Sequence, residues 1–278
     1  MAYREDRHPQ LFPVYCLPCT AIPFPIPYCL SMLRAIIFDF DGILVDSEPL
    51  IMRITQQMAA REGWQVSAEE YYRDYLALDD RGIVAHLYGT HGRPINTARR
   101  DELVEWKAHT YWDAIREGLP PEPGAVEFVR AVSARYPLAI ASGSLRPEIE
   151  HLLGKLGLRE KFPVLISAED TERGKPDPEI YLKALEGLRR LPPEPSQTAG
   201  QVTGPNPGQN RGGLAGLAPR ECLVIEDAPA GIQAAHAAGM KCLALAHTRP
   251  MEALGAADWA CRGFAEVPLP DVEARFQN

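Results

Sequence analysis

Two carboxylates stand two residues apart at the end of an apolar run, in Asp39-Phe40-Asp41-Gly42. Residues at i and i+2 of a strand project to the same side, so both acids can face one ligand. Like charges held that close disfavour joint ionisation, which permits a division into one nucleophile and one proton donor. The same four residues also read as a pair of solvated turn aspartates, and spacing alone leaves both readings open. No histidine is needed for this chemistry: His86, His91, His109 and His151 fall on expected helices or loops. The chain has no Gly-x-Gly-x-x-Gly, so nothing supports a dinucleotide cofactor.

The elements that must position these groups follow from periodicity. Residues 33–40 (LRAIIFDF) form a short apolar, β-branched run ending in carboxylates, as a buried strand does. Similar runs recur at 138–141, 164–166, 222–225 and 242–246, separated by helical stretches at 147–156, 178–188 and 229–238. Strands alternating with helices predict an α/β fold with a doubly wound, mostly parallel sheet covered on both faces. Asp177-Pro178 reads as an N-cap with a first-turn proline, and Gly239 stands where a helix stops. In an open sheet of this kind, ligands bind beyond the carboxyl ends of the strands. Residues 48–119 differ: almost no β-branched run occurs, and apolar residues such as Ile51, Ile54 and Met58 fall at helical spacing. An all-helical module therefore interrupts the sheet straight after its first strand, and Pro120, Pro121 and Pro123 mark its exit. The core is expected to comprise residues 32–47 and 120–278. Within it, residues 190–220 are rich in Pro, Gly, Gln and Asn and are expected to form a flexible loop.

Residues 1–31 carry prolines at positions 13, 18, 23, 25 and 27, which break any helix there, and are expected to be a disordered extension. Met32, just ahead of the first strand, is a candidate translation start. The formal charge of −8 argues against nucleic acid as the main partner. It does not exclude a small anionic substrate, because a bound divalent cation reverses the local field. No apolar run reaches the roughly 20 residues that cross a bilayer, so a soluble protein with no membrane partner is expected. The six cysteines form no secreted-type framework, and the lone Cys16-x-x-Cys19 pair lacks the second pair of a structural zinc site. Reduced thiols in a cytoplasm are the simplest expectation.

The longer run over residues 39–48, DFDGILVDSE, resembles the first motif of the haloacid dehalogenase-like hydrolases, in the subgroup of β-phosphoglucomutase and phosphoglycolate phosphatase. Three further matches follow in the family's order, each at a strand end: Ser142-Gly143, Lys175 in GKPDP, and Glu226-Asp227. The resemblance implies a catalytic core with an inserted helical cap. It makes Asp39 the nucleophile, and Asp41 the general acid/base that also lends a backbone carbonyl to magnesium. Ser142 and Gly143 would bind the transferring phosphoryl group, a hydroxyl donating to an equatorial oxygen and a glycine allowing close backbone approach. Lys175 would neutralise charge on the phosphate and on Asp39. Asp227 would be a direct ligand of magnesium and Glu226 either a ligand or an acceptor behind it, hard magnesium preferring oxygen donors.

The implied activity is magnesium-dependent hydrolysis of a small phosphorylated metabolite, such as a sugar phosphate or phosphoglycolate-like compound, through an aspartyl phosphate. A mutase of the β-phosphoglucomutase kind is the alternative. Two polar cap groups of the mutases are missing, their places taken by Ile51 and Ala77, while the cap arginine has a match in Arg81. Arg81 either contacts substrate or pairs with Asp79 or Asp80. Asp41 is absent from dehalogenases, and the lack of any lysine between Arg34 and Trp106 removes the Schiff-base chemistry of phosphonoacetaldehyde hydrolases. A catalytically silent binding protein on the same fold is the reading from another class.

Overall fold

In the computed structural model of the chain, which describes residues 32–76, 78–193 and 213–276, the apolar runs are the most deeply buried segments. They form strands Ala35–Phe38 (β1), Leu138–Ala141 (β2), Val164–Ile166 (β3), Cys222–Glu226 (β4) and Lys241–Leu245 (β5), joined by Trp259–Cys261 (β6). The sheet is wholly parallel in the order β3-β2-β1-β4-β5-β6. Period-two alternation divides it between two layers. Ile36, Phe38, Ile140 and Ile225 pack on one face against helices Ala125–Ser133 (α5), Arg146–Leu156 (α6) and Leu269–Arg275 (α9). Ile37, Ala139, Val224 and Cys242 pack on the other against Glu179–Arg189 (α7) and Pro229–Ala237 (α8).

Between β1 and β2 the chain makes helices Glu48–Arg61 (α1), Ala68–Glu70 (α2), Asp80–Thr90 (α3) and Thr97–Ile115 (α4), with a π-helical turn over Tyr71–Tyr75 extending α2. Side chains of Ser67, Asp79 and Asn96 cap α2, α3 and α4 by accepting from Glu70, Gly82 and Arg99 N–H. Such caps satisfy amides that have no partner inside the helix. The module has its own core of Met58, Tyr71, Tyr75, Val84, Leu87 and Leu103. The two connections to the sheet pair with each other: Asp46 N–H donates to Pro120 O at 3.0 Å and Glu122 N–H to Leu44 O at 3.2 Å.

Two details depart from expectation. β6 carries no signal in the sequence because it is three residues long and only its last is buried. Leu214 and Leu217, inside the stretch 190–220 expected to be a flexible loop, are buried in the layer with α7. Arg34 donates to Gly213 O and Arg189 to Leu217 O, each at 2.8 Å, which fixes this segment to the core. The expectations for residues 1–31, for Ala77 and for residues 194–212 lie outside the described residues. Cys222 and Cys242 are buried as small core groups.

Phe38 is fully buried at the end of β1, edge-on to Phe128 and Phe162 at centroid distances of 6.3 and 5.6 Å. Phe38→Ala is expected to cost about 3–5 kcal/mol, read from urea unfolding, since it removes a large side chain that rigid neighbours cannot replace.

Candidate active site

The chain leaves β1 toward β2 on one side and returns to β4 on the other, so a topological switch point lies between β1 and β4. Crevices form there at the carboxyl ends of strands. Asp39 N–H donates to Ile225 O at 2.9 Å, which fixes the end of β1 beside Glu226 and Asp227 at the end of β4. Lys175, on the loop before α7, reaches into the same place: its Nζ is 2.9 Å from Asp39 Oδ1 and 2.6 Å from Glu226 Oε1. Oxygens of Asp39, Glu226 and Asp227 lie within 4.8 Å of one another.

Glu226 is fully buried and saturated. Its Oε1 accepts from Lys175 and from Tyr181 of α7, both at 2.6 Å. Its Oε2 accepts the N–H groups of Asp227 and Ala228 at 3.0 and 3.1 Å. The Pro229-Ala230-Gly231 sequence has a reason in this packing, since a Cβ on Gly231 would collide with the Glu226 carboxylate. Gly42 has a similar one: its φ is +71° and a Cβ there would collide with Asp227. Only glycine adopts that backbone without strain.

The two aspartates of the first motif are not equivalent. β1 ends at Phe38, so both sit on the turn beyond it. Asp39 joins the acidic cluster, whereas the Asp41 carboxylate accepts from the Ser144 hydroxyl. Ser144 N–H donates in turn to Ser142 Oγ at 3.0 Å, leaving the buried Ser142 hydroxyl hydrogen free to donate elsewhere. Gly143 is exposed and a Cβ there would meet open space, so packing gives no reason for a glycine. Arg81 is exposed near the start of α3 and pairs with neither neighbour: Asp79 caps the helix and Asp80 binds Lys107.

The model of the family described as haloacid dehalogenase-like hydrolase matches residues 36–245, from β1 to the end of β5. The chain belongs to this family. Its similarity extends to the validoxylamine A 7'-phosphate phosphatase of Streptomyces hygroscopicus subsp. limoneus, 31% identical over 87% of this chain and 99% of that protein. The hexitol phosphatase B of Escherichia coli K12 is 30% identical, over 75% of this chain and 82% of that one. Among solved structures, the β-phosphoglucomutase of Clostridium difficile superposes with a TM-score of 0.68 at 20% identity, covering 88% of this chain and 97% of that one, a likeness of fold. As a family member with phosphatases among its relatives, this haloacid dehalogenase-like hydrolase is a phosphoric monoester hydrolase.

The electrostatics of the cluster follow from burial. One ammonium faces three carboxylates, of which Asp39 is 8%, Asp227 7% and Glu226 0% exposed. Burial, opposed by Lys175 and reinforced by Glu226 and Asp227, holds the Asp39 carboxyl well above the aspartate range. Burial and the charge of Glu226 push Asp227 up to about 7, against a hydrogen bond from Thr248. Burial alone would lower Lys175, but Asp39 and Glu226 outweigh it, and its ammonium is held above the ordinary lysine range. Surplus negative charge on hard oxygen donors is what a small divalent cation neutralises, so the residues present fit magnesium.

Sequence reasoning missed Tyr181, Ser144 and Thr248. Tyr181 lies on the buried face of α7 and reads as core until its phenol is seen on Glu226. Thr248 follows β5 and donates to Asp227. Ser144 adjoins a recognised motif, which was the available signal.

Removing the Tyr181 hydroxyl by Tyr181→Phe leaves a buried carboxylate one donor short and is expected to cost about 1.5–3 kcal/mol in urea unfolding. A second expectation concerns pH. The Asp227 carboxyl titrates in the fold at about 7, against about 4 when unfolded. In that window the folded chain holds a proton that the unfolded chain releases, a stabilisation complete at the acid end and lost as pH rises through the upper value. The melting temperature of chelator-treated protein should therefore fall between about pH 5 and about pH 8.

Proposed function

We propose that this chain is a magnesium-dependent phosphatase of a small phosphorylated metabolite, working through an aspartyl phosphate on Asp39. The observation that carries the reading is the Lys175 ammonium held between Asp39 and Glu226 at the switch point. In this mechanism an Asp39 oxygen attacks phosphorus and the bond from phosphorus to the leaving oxygen breaks. Asp41, oriented by Ser144, gives its proton to the departing alkoxide. It then takes a proton from water, whose oxygen attacks the same phosphorus and releases Asp39 and phosphate. Lys175 and the Ser142 hydroxyl hold the phosphoryl oxygens, so positioning and charge neutralisation supply most of the rate.

Magnesium, when bound, would neutralise phosphate charge; Asp39, Asp227 and the Asp41 backbone carbonyl are the groups to hold it. Glu226, whose four hydrogen bonds come from the protein, would serve to position Lys175 and Asp227. The helical module would cover the site and exclude water.

Asp39→Asn is expected to lower p-nitrophenyl phosphate turnover by on the order of a thousandfold or more, with the circular dichroism spectrum unchanged. Chelation should abolish wild-type turnover and added magnesium restore it. Activity that survives either treatment would exclude the corresponding role.

A further inference from the structure

The loop that follows β5 carries His247, Thr248 and Arg249 in succession, and their side chains reach three different parts of the molecule. His247 Nδ1 lies 2.9 Å from Glu122 Oε2. Glu122 belongs to the segment by which the chain leaves the helical module, and its N–H donates to Leu44 O of the segment by which the chain enters. Thr248 donates its hydroxyl to Asp227 Oδ2, and its methyl packs beside Gly42 of the first motif. Arg249 Nη2 donates to Leu76 O at 3.3 Å. Leu76 closes the π-helical turn of the module, and carbonyls at the end of a helix have no partner within it. The guanidinium supplies one from the sheet side of the crevice.

The backbone that joins these contacts has little freedom. Ala246 N–H donates to Cys261 O at 2.8 Å, which ties the start of the loop to the end of β6. Beyond Arg249 stands Pro250 with φ −65°, and a residue before proline is confined to extended conformations. A stiff loop held at both ends passes a shift of one side chain to the next instead of absorbing it. The side chain that holds the module and the one that holds Asp227 are neighbours in such a loop.

We propose that Thr248 and Arg249 are positioning residues that couple docking of the helical module to the binding of magnesium. Arg249 keeps the module against the core, and the same loop, through Thr248, fixes the orientation of the Asp227 carboxylate. This rests on the magnesium reading above and adds to it a link between the metal site and the module. Such coupling is reciprocal, so the metal must favour docking as much as docking favours the metal.

The test uses the full chain without substrate. Titration calorimetry reads magnesium affinity, and amide hydrogen exchange over residues 71–76 reads the turn that Arg249 anchors. In the wild-type protein magnesium is expected to slow that exchange about fivefold or more. Thr248→Val is expected to weaken magnesium binding about tenfold or more, and Thr248→Ser, which keeps the hydroxyl, to stay within about twofold of wild type. Arg249→Ala is expected to weaken magnesium binding about fivefold or more and to remove the effect of magnesium on the turn. The Arg249 charge also acts on Asp227, and removing a cation from beside the acids would by itself tighten a divalent ion there. Unchanged or tighter binding in Arg249→Ala, no slowing in the wild type, or equal losses in Thr248→Ser and Thr248→Val would overturn the coupling. If Arg249→Ala does not fold, the wild-type exchange and the two Thr248 variants decide. Wild-type protein that binds no magnesium would overturn the metal reading, and the coupling with it.

Discussion

A carboxylate cut off from water must find in the protein the hydrogen bonds that water would have made, and Glu226 sits under that constraint beneath the site. Each of its four bonds fixes something the site needs. Lys175 is drawn in from the loop beyond β3, and Tyr181 orients α7 beneath the sheet. The N–H groups of Asp227 and Ala228 set the turn that aims Asp227 at Asp39. Gly231 makes the room in which this happens, at the start of α8. The acidic cluster is therefore held from behind, by a group that itself presents no unused oxygen.

The parallel sheet brings this arrangement to one edge of the strands. With β1 and β4 adjacent and their connections departing in opposite directions, the ends of both strands open onto the same crevice. The helical module enters and leaves beside it, through two segments that pair with each other at Asp46–Pro120 and Leu44–Glu122. His247, on the loop after β5, approaches Glu122 to 2.9 Å at this crossing. Arg249, two residues on, donates from the sheet side to Leu76 O of the module at 3.3 Å. The module is thus tied to the sheet by contacts that flank the crevice as well as by its covalent links.

An acidic chain that handles an anionic substrate must concentrate positive charge locally. Here Lys175 is shared between two carboxylates, and the surplus negative charge around it is what a divalent cation would balance. On the module side the buried ammonium of Lys107 is likewise paired, with Asp80.

The sequence by itself determined the class of fold and picked out the acids and the lysine that the fold brings together. Short apolar runs alternating with helical stretches describe a covered parallel sheet, because both faces of each strand must avoid water. The acids at 39, 41, 226 and 227 and the lysine at 175 are legible because each adjoins a strand end within a compact motif. What only the tertiary structure decided are relations between residues far apart in the chain. Tyr181 and Glu226, 45 positions apart, meet through a buried hydrogen bond, and nothing local distinguishes that tyrosine from a core residue. Asp41 turned to Ser144, 103 positions away, and left Asp39 to the acidic cluster, a division that i, i+2 spacing does not contain. Lys107 lies too late in the chain to match a cap lysine of the family, yet α4 buries it. Leu214 and Leu217 in a loop-like composition are core for the same reason. Burial depends on what packs opposite a residue, and the sheet order that supplies the opposite side is a global property of the chain.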